Sequence, residues 1–182
     1  FVQALGYVQN IQDYIFLEPQ DKFRLTIRGA FPVFIYKQTD ANIAGVDLLL
    51  KYEPQQNLNF IAKYALVRGY DLTNDVGLIN IPSDNIFSSM TYTFKDREKW
   101  KNNFFTINGR FVFQQKRIIV PSQDFLLPPD DYFLLGLQVG TNYEWQESSL
   151  KISLRAENLL NTTYRDYLNR LRYFADENGA NV

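Results

Sequence analysis

The chain has 182 residues, with 19 Lys and Arg against 20 Asp and Glu, so its formal net charge is −1. That balance provides no electrostatic footprint for nucleic acid. The chain contains no Cys and no His, which excludes disulfides, thiolate nucleophiles, Ser-His-Asp hydrolysis and the common zinc sites from this segment. The mean hydropathy is −0.28, and no apolar run approaches the roughly 20 residues that a membrane-spanning helix needs.

Aromatic residues make up 16% of the chain, with 15 Phe, 12 Tyr and 2 Trp. Disordered chains are poor in aromatic side chains, so we expect this chain to fold. A membrane β-barrel carries many aromatics without a hydrophobic average, because its strands alternate outward apolar with inward polar residues. A soluble β-sandwich alternates between its two faces in the same way, so composition leaves both classes open.

An alternation of period two dominates the sequence and predicts seven β-strands and no helix. The first run, residues 2–17, has strand-forming residues but no clear assignment of faces. The second, residues 33–52, would extend about 65 Å at roughly 3.3 Å per residue. We therefore expect it either to kink near residues 39–42 or to project well beyond a membrane. Cleaner alternation follows over residues 58–66, 86–94, 105–113, 133–145 and 150–157.

The predicted connections alternate between long and short along the chain. Long connections are expected at residues 18–32, 73–85 and 121–131, and shorter ones at 53–56, 96–102 and 146–149. Outer-membrane barrels have short turns on the periplasmic side and long loops on the external side. A meandering soluble sheet has no reason to sort its loops by side. The alternation therefore favours a barrel.

Aromatic side chains gather at the strand ends beside the short connections. They are Tyr52, Tyr92, Phe94, Phe104, Phe105, Tyr143 and Trp145, with Trp100 in a turn on the same side. Rings at this level are typical of the girdle that a barrel places at the headgroup boundary. The alternative is a sandwich core that aromatic side chains close at one end.

The polar faces of the strands line either a wet or plugged lumen or, in a soluble sheet, a surface open to water. The candidate lumen-facing or plug-contacting residues are Lys63, Asn108, Arg110, Gln138, Glu144, Lys151 and Arg155. If residues 146–149 form a tight turn, Glu144 and Lys151 face each other across the hairpin. Such a pair contributes about 0.2–1 kcal/mol.

Residues 154–168 resemble the near-terminal strand of the TonB-dependent outer-membrane receptors. In that family an Asn-Leu-Phe/Leu-Asn element followed by Tyr marks this strand, and here Asn158-Leu159-Leu160-Asn161 is followed by Tyr164. Residues 168–177 are similar to the versions found in Bacteroidetes-type bacteria. Taken alone, each of these short motifs has low specificity.

Two further stretches carry the resemblance. Residues 41–48 are similar to the family's Ala-x-Ile-x-Gly-Val-Glu-Leu strand, with Asp47 where Glu is commoner. Residues 78–84 are similar to its Ile-Pro loop, which leads into a strand ending in Tyr-x-Phe, here Tyr92-Thr93-Phe94. The motifs cover nearly the whole chain in the family's order and spacing, and this ordered set is more specific than any one of them.

The resemblance implies an all-β fold, an antiparallel transmembrane barrel of about 22 strands filled by a plug domain. It implies a transporter of the bacterial outer membrane, driven by the TonB energy-coupling complex, with outer-membrane lipid as its surroundings. Residues 1–182 are then expected to be the C-terminal portion of the barrel, without the plug, the coupling box or the final strand. The Gly-Arg-Asn that commonly leads into that strand reads Gly179-Ala180-Asn181 here.

The resemblance leaves the substrate open. It implies a metal chelate, a cobalamin-like molecule, or an oligosaccharide or peptide taken up with a surface lipoprotein. We expect any substrate contacts in residues 20–30, 74–83 and 122–131, and plug contacts at Arg110, Glu144 and Arg155. No cofactor is implied.

No enzyme activity is expected in this segment. The paired acids at 130–131 and 176–177 are neighbours in loops, whereas glycosidic catalysis needs two carboxylates at a defined separation. Two other functions remain as alternatives. One is a soluble β-sandwich that binds a ligand or a protein, and the other is a passive porin-like barrel that lacks the plug.

Overall fold

The computed structural model describes residues 1–180. Asn181 and Val182 lie outside the described residues, and with them the end of the Gly179-Ala180-Asn181 stretch. Eight strands form one sheet: β1 (Val2–Thr26), β2 (Gly29–Gln55), β3 (Leu58–Asp71), β4 (Val76–Gly77), β5 (Asn85–Thr93), β6 (Trp100–Val112), β7 (Tyr132–Trp145) and β8 (Ser148–Ala156). A four-residue 3-10 helix spans Arg170–Tyr173.

The sheet is antiparallel throughout, in the order β1-β2-β3-β5-β6-β7-β8, with β4 paired to β3. The prediction of an all-β antiparallel fold with seven substantial strands is therefore confirmed. The sequence did not predict β4, which lies inside the long connection expected at 73–85, or the 3-10 helix. No helix in the described residues is long and apolar enough to cross a membrane.

The prediction of a long loop at residues 18–32 is wrong. β1 and β2 continue to pair as far as Thr26 and Gly29, so only Ile27 and Arg28 remain in the turn. In this ribbon the backbone groups that face inward pair across the two strands, and those that face outward are open to water, so no third strand is needed there. The charged residues, Pro19 and Gly29 gave the stretch a loop-like composition. The hairpin tip still lies at the end of the sheet opposite the short turns, as the alternation of connections requires.

A bulge in β1 explains why residues 2–17 show no clear faces. The register shifts by one residue between Ile11 and Tyr14, opposite Asp40 of β2. Asp13, in the bulge, adopts a left-handed φ of 57°. An extra residue reverses the parity of every side chain beyond it, so one strand presents odd positions to a face before the bulge and even positions after it. The sequence predicted an irregularity near residues 39–42 of β2, but the bulge lies in the neighbouring strand β1.

A second bulge, between Lys101 and Phe104, brings Trp100 to the apolar face. The sequence predicted that Trp100 lies in a turn, but it is the first residue of β6. The bulge reverses its parity, so Trp100 pairs with Tyr143 and their ring centroids lie 4.8 Å apart. Further ring contacts at the short-turn end join Tyr52 to Phe60, Tyr92 to Phe94, and Tyr143 to Trp145.

Buried side chains gather at the other end of the sheet, beside the long connections. Ala41 of β2 packs there with Leu78 and Ile81 from the β4–β5 connection. On the sheet itself one apolar face is uncovered, with Leu50 46%, Val139 42% and Leu154 58% exposed. A sandwich would cover that face with a second sheet, and the described residues form a single sheet. Residues 1–180 therefore do not form a sandwich by themselves.

Two glycines let aromatic rings lie across neighbouring strands on the polar face. Gly45 pairs with Tyr7 and Gly140 pairs with Phe104. A Cβ added to Gly45 would lie 2.3 Å from the Tyr7 ring, and one added to Gly140 would lie 2.4 Å from the Phe104 ring. Both positions are thus closed to any larger residue unless the opposing ring moves.

We predict that Gly140→Ala destabilises the native polypeptide that carries these residues by about 1–3 kcal/mol, because the new methyl group overlaps the Phe104 ring. Urea unfolding measures the change. Gly6→Ala is the matched control, because its Cβ would have its nearest neighbour at 4.0 Å, and we expect an effect within about 0.5 kcal/mol. In a Phe104→Ala background the cost should disappear. Equal stability of the two alanine variants would contradict the overlap.

Candidate functional site

A groove of about 570 Å³ lies on the polar face of the sheet, across β3 to β8. Four of the seven residues predicted for this face line it together: Lys63, Asn108, Arg110 and Arg155. The register aligns two of them, because Lys63 pairs with Phe87 and Phe87 pairs with Arg110. Gln138 pairs with Arg155 and lies next to the groove, toward the short-turn end.

The remaining two predicted residues lie farther along the same face, outside the groove lining. The turn between β7 and β8 contains only residues 146–147, so Glu144 pairs with Ser149 and Lys151 pairs with Asn142. The prediction that Glu144 and Lys151 lie directly opposite each other is therefore wrong by two residues of register. They are diagonal neighbours, at a separation that weakens their attraction.

Sequence reasoning missed several groove residues. Asn85 and Phe87 of β5 share the face of Lys63. Phe87 was not predicted because an aromatic side chain is not expected on a polar face. Tyr164, Glu177 and Asn178 come from the segment that follows β8. That segment has no strand periodicity and reaches the groove only through tertiary packing. The parity of β5 was the one available signal, and it places Asn85 and Phe87 correctly.

The groove carries more positive than negative charge. The Arg155 Nε lies 2.8 Å from a Glu157 carboxylate oxygen, so these two charges offset each other. Glu177 accepts a hydrogen bond from the Asn169 amide. Within residues 1–180, no carboxylate lies within 4.0 Å of the Lys63 or Arg110 charge. The Lys63 ammonium lies 5.9 Å from the Phe87 ring centroid.

Beside the groove, the long connections pack into one body, which we call the loop cap. It comprises residues 72–84, 113–131 and 157–180 together with the tip of the β1–β2 ribbon. Its centre is an ion pair between Arg172 and Asp124, whose side chains are 3% and 2% exposed. The Arg172 guanidinium also lies 4.9 Å from the Tyr167 ring centroid and 4.4 Å from that of Tyr173.

Both tyrosines of this centre stay neutral. Burial raises the pKa of the Tyr173 hydroxyl; nearby Asp124 raises it further, and the Arg172 guanidinium opposes the shift. Burial also raises the pKa of Tyr167, against the Asn80 backbone N–H and Arg172. Arg172 Nη2 donates to the Tyr173 hydroxyl at 2.8 Å. The Arg172–Asp124 pair is therefore the charged element of this centre at ordinary pH.

Aromatic contacts tie the cap to the ribbon. Phe34 of β2 meets Tyr173 with centroids 5.7 Å apart, and Phe31 meets Phe174 at 5.9 Å. The segment after β8 thus crosses from one edge of the sheet to the other. Residues 74–83 and 122–131, which the sequence predicted as substrate contacts, bury Leu78 and Asp124 in the cap. The third predicted loop, 20–30, is the exposed ribbon tip.

These features describe an open antiparallel half-barrel with one apolar face, one polar face and a packed loop end. No protein-family model and no curated protein matches the chain. Among solved structures, one described as the copper transporter OprC is similar, with a TM-score of 0.72 and 23% sequence identity. The similarity covers 98% of this chain and 27% of that chain, so this chain spans about a quarter of its length. It confirms the predicted fold, a segment of a β-barrel.

Metal ligation has no obvious place in the described part of the chain. Among residues 1–180, no group of three or more His, Cys, Asp or Glu side chains is arranged to hold a metal ion. The groove is built from cations, amides and aromatic rings instead. Its chemistry suits polar or anionic groups rather than a cation.

We predict that Asp124→Ala opens the loop cap, because it leaves the buried Arg172 guanidinium without a carboxylate. Loss of one partner from a buried ion pair costs about 3–5 kcal/mol. Trypsin should then cleave the native polypeptide much faster within residues 165–172. Asp131→Ala, at an exposed acid of the same connection, is the control and should leave cleavage unchanged. Replacing both partners, as Asp124→Leu with Arg172→Met, should restore most of the protection. Equal cleavage of the two alanine variants would show that the pair does not hold the cap.

Proposed function

We propose that this chain is part of the barrel wall of an active transporter in the bacterial outer membrane. Its apolar face contacts lipid, and its polar face lines the lumen. The observation that carries the proposal is the uncovered apolar face of a single curved sheet. Soluble monomers rarely expose a contiguous apolar patch of more than a few hundred Å². A lipid bilayer removes that cost without a second sheet.

Strand lengths support the same location. β5 and β8 each have nine residues, and a tilted transmembrane strand needs roughly 9–11. The rings of Tyr92, Phe94, Trp100, Tyr143 and Trp145 pack at the short-turn end, where one aromatic girdle belongs. The long connections then lie on the external side, and the loop cap faces the medium.

The finer assignment is to the TonB-dependent receptors, as the C-terminal portion of a barrel of the Bacteroidetes type. The ordered motifs at residues 41–48, 78–84 and 154–177 support it. In this reading a plug domain of the same polypeptide lies inside the barrel, on the side of the wall's polar face. The TonB complex would then act through that plug, and a surface lipoprotein would dock on the external side.

The substrate does not follow from the structural neighbour. OprC is described as a copper transporter, and copper favours imidazole, thiolate and thioether ligands. This chain has no His, no Cys and one Met, so it lends no support to copper as its own substrate.

We predict that Leu137→Arg lowers the stability of the membrane-folded polypeptide by about 2–4 kcal/mol, as an arginine does on the lipid face near the midplane. The adjacent Gln138→Arg is the matched control, because its side chain points to the polar face, and we expect it to cost less than about 1 kcal/mol. Reversible folding into lipid vesicles measures both. Equal costs would refute the assignment of lipid and lumen faces.

Conductance separates an active transporter from a passive porin. The native polypeptide is expected in the outer-membrane fraction, with a denatured mass several times that of the 182-residue chain. In planar bilayers a plugged barrel should conduct little until the plug is displaced by denaturant. A large, steady conductance without denaturant would favour the porin. Recovery from a detergent-free soluble fraction would refute both.

A further inference from the structure

We propose that the groove on the polar face is a seat for an anionic group, the carboxylate or phosphate of a small solute, between Lys63 and Arg110. The proposal rests on the proposed function in one respect, that such a solute passes this wall as cargo. The seat itself is a property of the described residues.

The sheet fixes the two cations on either side of one ring. Lys63, Phe87 and Arg110 form a row across β3, β5 and β6, each paired with the next. Neighbouring strands lie about 4.8 Å apart, so the backbones of the two cationic residues are about 10 Å apart. Phe87 lies between the two cationic residues in the row, and all three line the groove.

Amide groups complete the seat. Asn85 and Asn108 lie two residues before Phe87 and Arg110 on their strands, so they share the same face, and both line the groove. Asn108 pairs with Gly136, where an added Cβ would lie 2.7 Å from the Asn108 amide oxygen. The absence of a side chain at Gly136 leaves room for the Asn108 amide to lie across β7. The amides supply neutral hydrogen-bond donors beside the two charges.

The charge balance favours an anion. The groove contains three cations, at Lys63, Arg110 and Arg155, and two carboxylates, at Glu157 and Glu177. Arg155 is paired with Glu157, which leaves Lys63 and Arg110 as the cations without a carboxylate within 4.0 Å among residues 1–180. This local excess contrasts with the chain's net charge of −1. A guanidinium fork and an ammonium on opposite sides match the oxygens of a carboxylate or phosphate.

Inorganic pyrophosphate is a suitable probe, measured by isothermal titration calorimetry against the purified native polypeptide. We expect saturable binding that weakens at higher salt. The variant Lys63→Gln with Arg110→Gln should lose at least tenfold in affinity. The variant Arg97→Gln with Lys99→Gln removes the same charge from the exposed β5–β6 turn and should bind as the unmodified protein does.

Two outcomes would overturn the proposal: no binding to the unmodified protein, or equal binding by both double variants. In the first case, thermal melting identifies the occupant. A lower Tm of Lys63→Gln with Arg110→Gln alone would mean that a carboxylate of the same polypeptide fills the seat. The titration requires neither membrane fractionation nor conductance. The proposed seat can therefore be refuted while the transporter assignment stands, and the transporter assignment can be refuted while the seat stands.

Discussion

The structure depends on one constraint. Each long strand must form hydrogen bonds with the neighbouring strands, while one of its faces carries apolar side chains and the other carries polar ones. Side chains alternate strictly along a strand, so a slip of one residue would turn every apolar side chain of that strand to the polar side. The single register that β2 and β3 keep from Ala41 to Tyr52 holds Leu48 and Leu50 on one face and Asp47 and Lys51 on the other. The bulges beside Asp40 and Trp100 each reverse that alternation within one strand.

Alternation made much of the wall predictable from sequence. β5 to β8 keep one register over most of their length, apart from the bulge near Trp100, so Arg110 and Arg155 were assigned to the polar face without a structure. The same reasoning failed where parity was hidden or was not followed. The bulge hid the faces of β1, the charged ribbon resembled a loop, and Phe87 looked apolar although it belongs to the polar row. Tyr164 and Glu177 reach the groove through tertiary packing, which no periodicity encodes.

The wall and the loop cap are stabilised in different ways. The wall has few buried side chains, and its order comes from the hydrogen-bonded ladder and from whatever covers its apolar face. Most of the buried side chains lie in the cap, including Leu78, Tyr167 and the Arg172–Asp124 pair. Burying that ion pair is costly, and the buried Arg172 Nη1 has no hydrogen-bond partner among residues 1–180, so the pair adds little net stability although the loss of one partner is expensive. The cap is therefore held mainly by contacts among buried side chains, and the wall mainly by its backbone hydrogen bonds.

Beyond the rest of the sheet, β1 and β2 pair only with each other, and the ribbon ends in the two-residue turn at Ile27 and Arg28. Its length is therefore independent of the rest of the sheet. Each matched pair of residues gained or lost at the turn moves the tip by roughly 3.3 Å, and pairs added two at a time leave every facing side chain in place. Related chains are therefore free to differ in the length of this hairpin, and the contacts within the wall stay the same.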